Sequence, residues 1–328
     1  MKEVMIIVSE QTDAVSLTGT RMILKVVNQF YEEETHSPFF NVKLVGLSKD
    51  VKIKSESMVF NTDILLKDAG LTNLIIIPAI DSHAVNGNMR EGIEAQKDFI
   101  PWIIEQYKNG AEVASLCTGS FLLAATGLMK GKICSTHWGF ANSFREMFPD
   151  VILADDKVIA DQNGLYSSGG SNTFWNLLLY LVEKYTSREM AIKIAKYFLL
   201  DIEKRSQLPF IIFMGQREHD DKVVLAAQEY IEEHAHDKLS IEDVAKKFNM
   251  ERRTFERRFK KATSNTATEY AQRVKVEGAK KHLEGGRKTI NEVMYDVGYT
   301  DTKAFRDVFK RYVGMSPVDY REKYQKFY

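Results

Sequence analysis

The sequence predicts two domains of different class: an α/β doubly wound parallel-sheet domain over residues 1–205 and an all-α domain with two helix-turn-helix units over residues 222–328, joined by a linker at 206–221. Three observations predict this. The chain has 328 residues, more than one typical domain holds. Its first part alternates short apolar runs with stretches of helical length. Its last part repeats one helical pattern twice.

In the first domain the strand candidates are Val4–Val8, Val42–Leu47, Leu74–Ile77 and Glu112–Leu116, and Thr20–Tyr31 and Asp98–Asn109 read as helices between them. Continuous apolar strands separated by helices imply a sheet covered on both faces. Ligands of such sheets bind at the carboxyl ends of the strands. One such end is Ala114-Ser115-Leu116-Cys117-Thr118-Gly119-Ser120, where a strand meets a cysteine, a small residue and then a helix. This is the layout of a nucleophile elbow. A cysteine at a helix N-terminus is expected to be partly thiolate. His137, in Ser135-Thr136-His137-Trp138, is placed to approach it, and Cys134 is expected in the core. The stretch Glu203–Asp221 carries Pro209, Gly215 and many charges, which suits a joint; its apolar run Phe210–Met214 predicts that the joint is packed.

The second domain is read from its repeat. Ser240-Ile241-Glu242-Asp243 and Thr289-Ile290-Asn291-Glu292 each place an acid three residues after a hydroxyl residue, the pattern of a capping box at a helix start. Apolar residues then recur at helical spacing: Ile241, Val244, Ala245, Phe248 and Ile290, Val293, Met294, Val297. A short break follows, and a second helix carrying Phe255, Phe259, Lys260 in one unit and Phe305, Phe309, Lys310 in the other. In a helix-turn-helix the second helix enters the DNA major groove. With the phenylalanines facing inward, Arg252, Arg253, Glu256, Arg257 and Lys260 are the DNA-facing candidates of the first unit. Lys303, Arg306 and Lys310 are those of the second. A guanidinium can bond two acceptors on a guanine edge. A connecting helix, roughly Thr268 to Leu283, ends at Gly285-Gly286.

Composition narrows the functional classes. No apolar run approaches the ~18 residues needed to span a bilayer, so no membrane partner is expected. Met1-Lys2-Glu3 leads into an apolar run without a signal-peptide pattern. Two cysteines provide neither a disulfide framework nor a zinc set, which fits a cytoplasmic protein. The net charge of zero hides an asymmetry: residues 222–328 carry 23 Lys and Arg against 17 Asp and Glu, leaving 22 against 28 elsewhere. A basic C-terminal part fits an anionic partner.

Residues 223–325 resemble the AraC/XylS family of transcription regulators, on Leu239, Val244-Ala245, Met250, Arg253, Phe255, Arg257, Phe259-Lys260 and on Ile290, Val293, Gly298-Tyr299, Asp301, Phe305, Phe309-Lys310, Gly314, Ser316-Pro317, Tyr320-Arg321. Glu251 stands where the family usually has Ser, and Asp307 where it usually has Arg. The resemblance implies double-stranded promoter DNA as partner, RNA polymerase as a further one, and a homodimer. Cys117-Thr118-Gly119, Gly127-Leu128, Thr136-His137-Trp138 and Ser168-Gly169-Gly170 resemble the PfpI-type branch of the class I glutamine-amidotransferase-like superfamily, in the version found at the N-terminus of certain AraC-family regulators. Its enzymes pair the elbow cysteine with an acid from the loop after the first strand; here Ser16 is aligned with that acid. They also tend to have glycines where this chain has Pro78-Ala79-Ile80. The implied reading is a non-enzymatic sensor domain without a cofactor. Ser16, Cys117, Thr118, His137 and Trp138 would form the pocket for an unknown small-molecule effector. The rival is a cysteine-dependent amidase or hydrolase carrying a DNA-binding domain.

Overall fold

The structure, a computed structural model, describes residues 1–237 and 239–325. The chain divides into two compact units, Met1–Gln207 and Leu208–Tyr328.

The first unit is an α/β layer structure. Its strands are β1 (Lys2–Val8), β2 (Phe40–Gly46), β3 (Asp50–Lys52), β4 (Val59–Asn61), β5 (Ile64–Leu65), β6 (Leu74–Ile77), β7 (Glu112–Ser115), β8 (Ile133–Cys134), β9 (Ile152–Leu153), β10 (Ile159–Gln162) and β11 (Leu165–Ser168). Seven of them form the main sheet in the order β10-β11-β7-β6-β1-β2-β5. All its neighbours pair in parallel except the edge pair β10–β11. The helices are α1 (Ala14–Thr35), α2 (Met89–Glu94), α3 (Phe99–Lys108), α4 (Ser120–Ala125), α5 (Ala141–Met147), α6 (Phe174–Tyr185) and α7 (Arg188–Phe198). Alternation along β1 splits the core into two layers. Val4, Ile6 and Val8 pack with α1, α6 and α7, whereas Met5 and Ile7 pack with α3 and α4. The four expected strands are present. The first expected helix is longer at both ends: Asp13 accepts from Ser16 N–H and caps it six residues earlier than read from the sequence, and it runs on to Thr35, where His36 closes it in a left-handed conformation.

The second unit is all helical: α8 (Lys222–Glu233), α9 (Ile241–Lys247), α10 (Arg252–Thr263), α11 (Ala267–Glu284), α12 (Ile290–Asp296), α13 (Thr302–Val313) and α14 (Pro317–Tyr324). It holds two cores. One gathers Phe255, Phe259 and Tyr270 with α8 and α9; the other gathers Phe305, Phe309 and Tyr320 with α11 and α12. Residues ahead of α8 pack onto this unit. Phe213 lies edge-on to Tyr270 at 5.1 Å, and Asp221 caps α8 while bonding the Arg258 guanidinium of α10 at 2.8 Å.

Candidate ligand pocket and nucleic-acid interface

The chain of β7 turns sharply at Cys117, whose φ of +52° is a left-handed conformation that a residue with a side chain adopts only under constraint. The constraints are visible. Ser168 Oγ accepts from Cys117 N–H at 3.3 Å, Thr118 Oγ1 donates to Ile80 O at 2.7 Å, and Thr136 Oγ1 donates to Cys117 O at 3.4 Å. Gly119 is required by close approach, since a Cβ there would lie 2.4 Å from the Pro78 carbonyl oxygen. The elbow opens on a cavity of about 360 Å³ at the carboxyl ends of the strands, walled by Asp13, Ile80, His83, Cys117, Thr118 and His137 among others.

Three of the five residues expected in this pocket, Cys117, Thr118 and His137, do line it. Ser16 and Trp138 do not. Ser16 is 1% exposed beneath the wall, where its hydroxyl donates to Asp13 O at 3.0 Å and accepts from Ala79 N–H at 3.1 Å. Trp138 stacks on His137, its backbone N–H held by Gln207 Oε1 at 3.3 Å. Sequence reasoning missed Asp13, a carboxylate on the cavity wall three residues before Ser16. The available signal was its N-cap position, a site that favours Asp.

The expected thiolate is corrected. Cys117 is 4% exposed, and burial pushes its thiol up to about 12, outweighing the opposing hydrogen bonds from Thr118, with a lesser rise from the Asp13 carboxylate and a lesser fall from Ser171. Desolvation outweighs the helix start because the thiolate would lose its hydration with no cation beside it. Burial also lowers the pKa of His137, whose Nδ1 accepts from Gly139 N–H at 3.0 Å rather than addressing the thiol. Two amides near the elbow are occupied: Ala79 N–H by Ser16 and Asp81 N–H by Gln11 O at 2.8 Å. The cavity thus combines the protonated Cys117 thiol and the uncharged His137 imidazole with the Asp13 and Asp81 carboxylates and a second histidine, His83, a set suited to holding a ligand. Cys134 is fully buried in the core, and burial pushes its thiol up to about 12 as well. Among the described residues no group of His, Cys, Asp and Glu gathers as a metal site, and no described helix is long and apolar enough to cross a membrane.

In the second unit the repeat is structural as well as sequential. After α9, Asn249 takes φ +54°, with its N–H on Lys246 O at 2.9 Å and Met250 N–H on Ala245 O at 2.9 Å. After α12, Gly298 takes φ +73°, with its N–H on Tyr295 O at 2.9 Å and Tyr299 N–H on Met294 O at 3.0 Å. Both first helices therefore end in the same Schellman closure, which aims the next helix. The full capping box forms at Thr289/Glu292; at Ser240 only the hydroxyl half is made, to Asp243 N–H at 3.4 Å. On α10 Phe255 and Phe259 are buried, leaving Arg252, Arg253, Arg257 and Lys260 exposed. Glu256 is half-buried and pairs with Arg252 at 3.5 Å. On α13 Phe305, Val308 and Phe309 are buried while Lys303, Arg306, Asp307 and Lys310 are exposed. Glu251 makes no side-chain cap for α10, whereas Asp301 caps α13 through Ala304 N–H at 2.6 Å.

Comparison with known proteins agrees with this division. The DJ-1/PfpI family matches residues 2–184, and a helix-turn-helix domain family matches residues 244–323. The HTH-type transcriptional regulator GbdR of Pseudomonas aeruginosa is 26% identical over 259 residues, covering 78% of this chain and 69% of that protein. The HTH-type transcriptional regulator CdhR of the same species is 20% identical over 299 residues, covering 90% and 84%. Among solved structures, a candidate transcriptional regulator protein from Vibrio parahaemolyticus shares the fold with a TM-score of 0.52 at 21% identity, over 60% of this chain and 98% of that one.

Proposed function

Because this chain belongs to the DJ-1/PfpI family and ends in a helix-turn-helix domain, we propose that it is a sequence-specific transcription regulator of the AraC type, controlled by a small molecule held in its N-terminal unit. The observation that carries this reading is the pair α10 and α13, two basic helices presented after identical closures. Two such helices read successive major grooves about one turn (~34 Å) apart on one face of the duplex. The residues proposed to face DNA are Arg252, Arg253, Glu256, Arg257 and Lys260 with Lys303, Arg306 and Lys310. Cys117, Thr118, His137 and the added Asp13 are proposed to hold the effector without catalysis, since no group beside the thiol lowers its pKa enough to activate it. The protein is proposed to act as a cytoplasmic homodimer. The effector would change the spacing of two DNA-binding units and so favour one arrangement on paired half-sites, where RNA polymerase is the further partner.

A footprint of the purified protein on DNA upstream of its own gene tests this. The expected result is protection of two major grooves ~10 base pairs apart on one face, duplicated for a dimer. Uniform protection without sequence preference would overturn the reading.

A further inference from the structure

A second cavity of the first unit, of about 390 Å³, lies where α6 and α7 meet the edge of the sheet. Its floor is apolar and buried: Val158, Leu179 and Ala191, with Ile159 and Ile202 rising as half-buried walls. The polar groups on the wall are engaged elsewhere. Tyr180 donates its hydroxyl to Asp161 at 2.6 Å, and Asn176 donates its amide to Asp201 O at 2.6 Å. The rim is basic, with Lys157, Arg188, Lys204 and Arg205 against the single carboxylate of Glu183, which is already bonded to Arg188 at 2.6 Å. An apolar recess under an excess of positive charge selects a ligand with an apolar body and an anionic head, and the low-dielectric floor strengthens the attraction at the rim.

The position of this cavity gives it a means of control. Residues 205–207 lie along 156–158 as a clasp: Val158 N–H donates to Arg205 O at 3.1 Å and Gln207 N–H to Asp156 O at 2.8 Å. Gln207 is 2% exposed, and its amide donates to Thr136 O and Lys157 O, each at 3.0 Å. The cavity is lined from both strands of the clasp, by Lys157 and Val158 on one and by Lys204 and Arg205 on the other. Immediately beyond Gln207 the chain enters the second unit.

We propose that this cavity is an effector site for an amphipathic anion, whose head pairs with the basic rim and whose apolar body fills the recess, and that filling it tightens the clasp from which the chain leaves the unit. Its regulatory role rests on the regulator reading above; its ligand chemistry does not.

The test uses the full chain with sodium octanoate as probe, and octylamine and propionate as the charge and length controls. Octanoate is expected to raise the thermal midpoint in proportion to ln(1 + [L]/Kd), while neither control does so at equal concentration. Leu179→Trp, which fills the recess, and the rim variant Lys157→Glu/Arg205→Glu, whose substituted side chains are exposed, are each expected to weaken octanoate binding at least about tenfold. The rim variant should keep the unliganded midpoint, so a folding failure of Leu179→Trp leaves the test intact. Equal stabilisation by octylamine, or octanoate binding unchanged in the rim variant, overturns the proposal. A missing footprint alongside intact octanoate binding would remove the regulator reading and leave the site standing. A footprint without octanoate binding would do the reverse.

Discussion

Cys117 is held in a left-handed turn at a cavity mouth, and burial keeps its proton on. A thiol near 12 carries on the order of a thousandfold less thiolate at neutral pH than one at its ordinary value. Alkylation by iodoacetamide at pH 7.5 should therefore be slow in the native protein and fast for both cysteines in urea. The native rate should keep rising with pH past 9, because the thiol titrates only above that. Cys117→Ala should retain sequence-specific DNA binding, because α10 and α13 belong to the second unit. Rapid single-site labelling at pH 7 would bring back the hydrolase reading. Three of the pocket residues, Cys117, Thr118 and His137, were legible here as an elbow motif with a following histidine. The protonation state and the part played by Asp13 were not, since both depend on what packs around the sulfur. The replacement of an acid by Ser16 looked like the argument against chemistry; the structure moves a carboxylate to Asp13 and puts the weight on desolvation instead.

At the scale of the element, the two reading helices carry different expectations. Arg257 is exposed on α10, and its replacement by Ala should cost ~1–3 kcal/mol at one base position, seen as relaxed preference there in a binding-site selection. An unchanged preference would remove α10 from base reading. Lys310→Ala on α13 should weaken binding to all sequences and reduce the slope of log K against log salt by about 1. Helix boundaries were legible where capping chemistry is local. Thr289/Glu292 closes its box as the spacing predicts. The boxes at Thr266/Glu269 and Ser316/Asp319, which start α11 and α14, obey the same spacing but were not read from the sequence, where the connecting helix was started at roughly Thr268. The start of α1 was read six residues late, at Thr20; Gly19 lies inside the helix, where it is a contact, with a Cβ there only 2.9 Å from the Phe174 ring.

For the whole molecule, two units with separate cores should not unfold as one. Phe309→Ala removes a fully buried ring from one core of the second unit and should cost ~3–5 kcal/mol there. Calorimetry should show one transition shifted down and the transition of the first unit unmoved; a common shift would mean that the units melt together. The sequence by itself determined the number of units, the class of each, the duplicated helix-turn-helix and the basic faces of α10 and α13. These follow from periodicity, caps and turns, whose energetics lie within a few residues along the chain. Only the tertiary structure decided the charge state of Cys117, the burial of Ser16 and the clasp at Gln207. Those depend on desolvation and on hydrogen bonds between residues tens of positions apart, which no local pattern encodes.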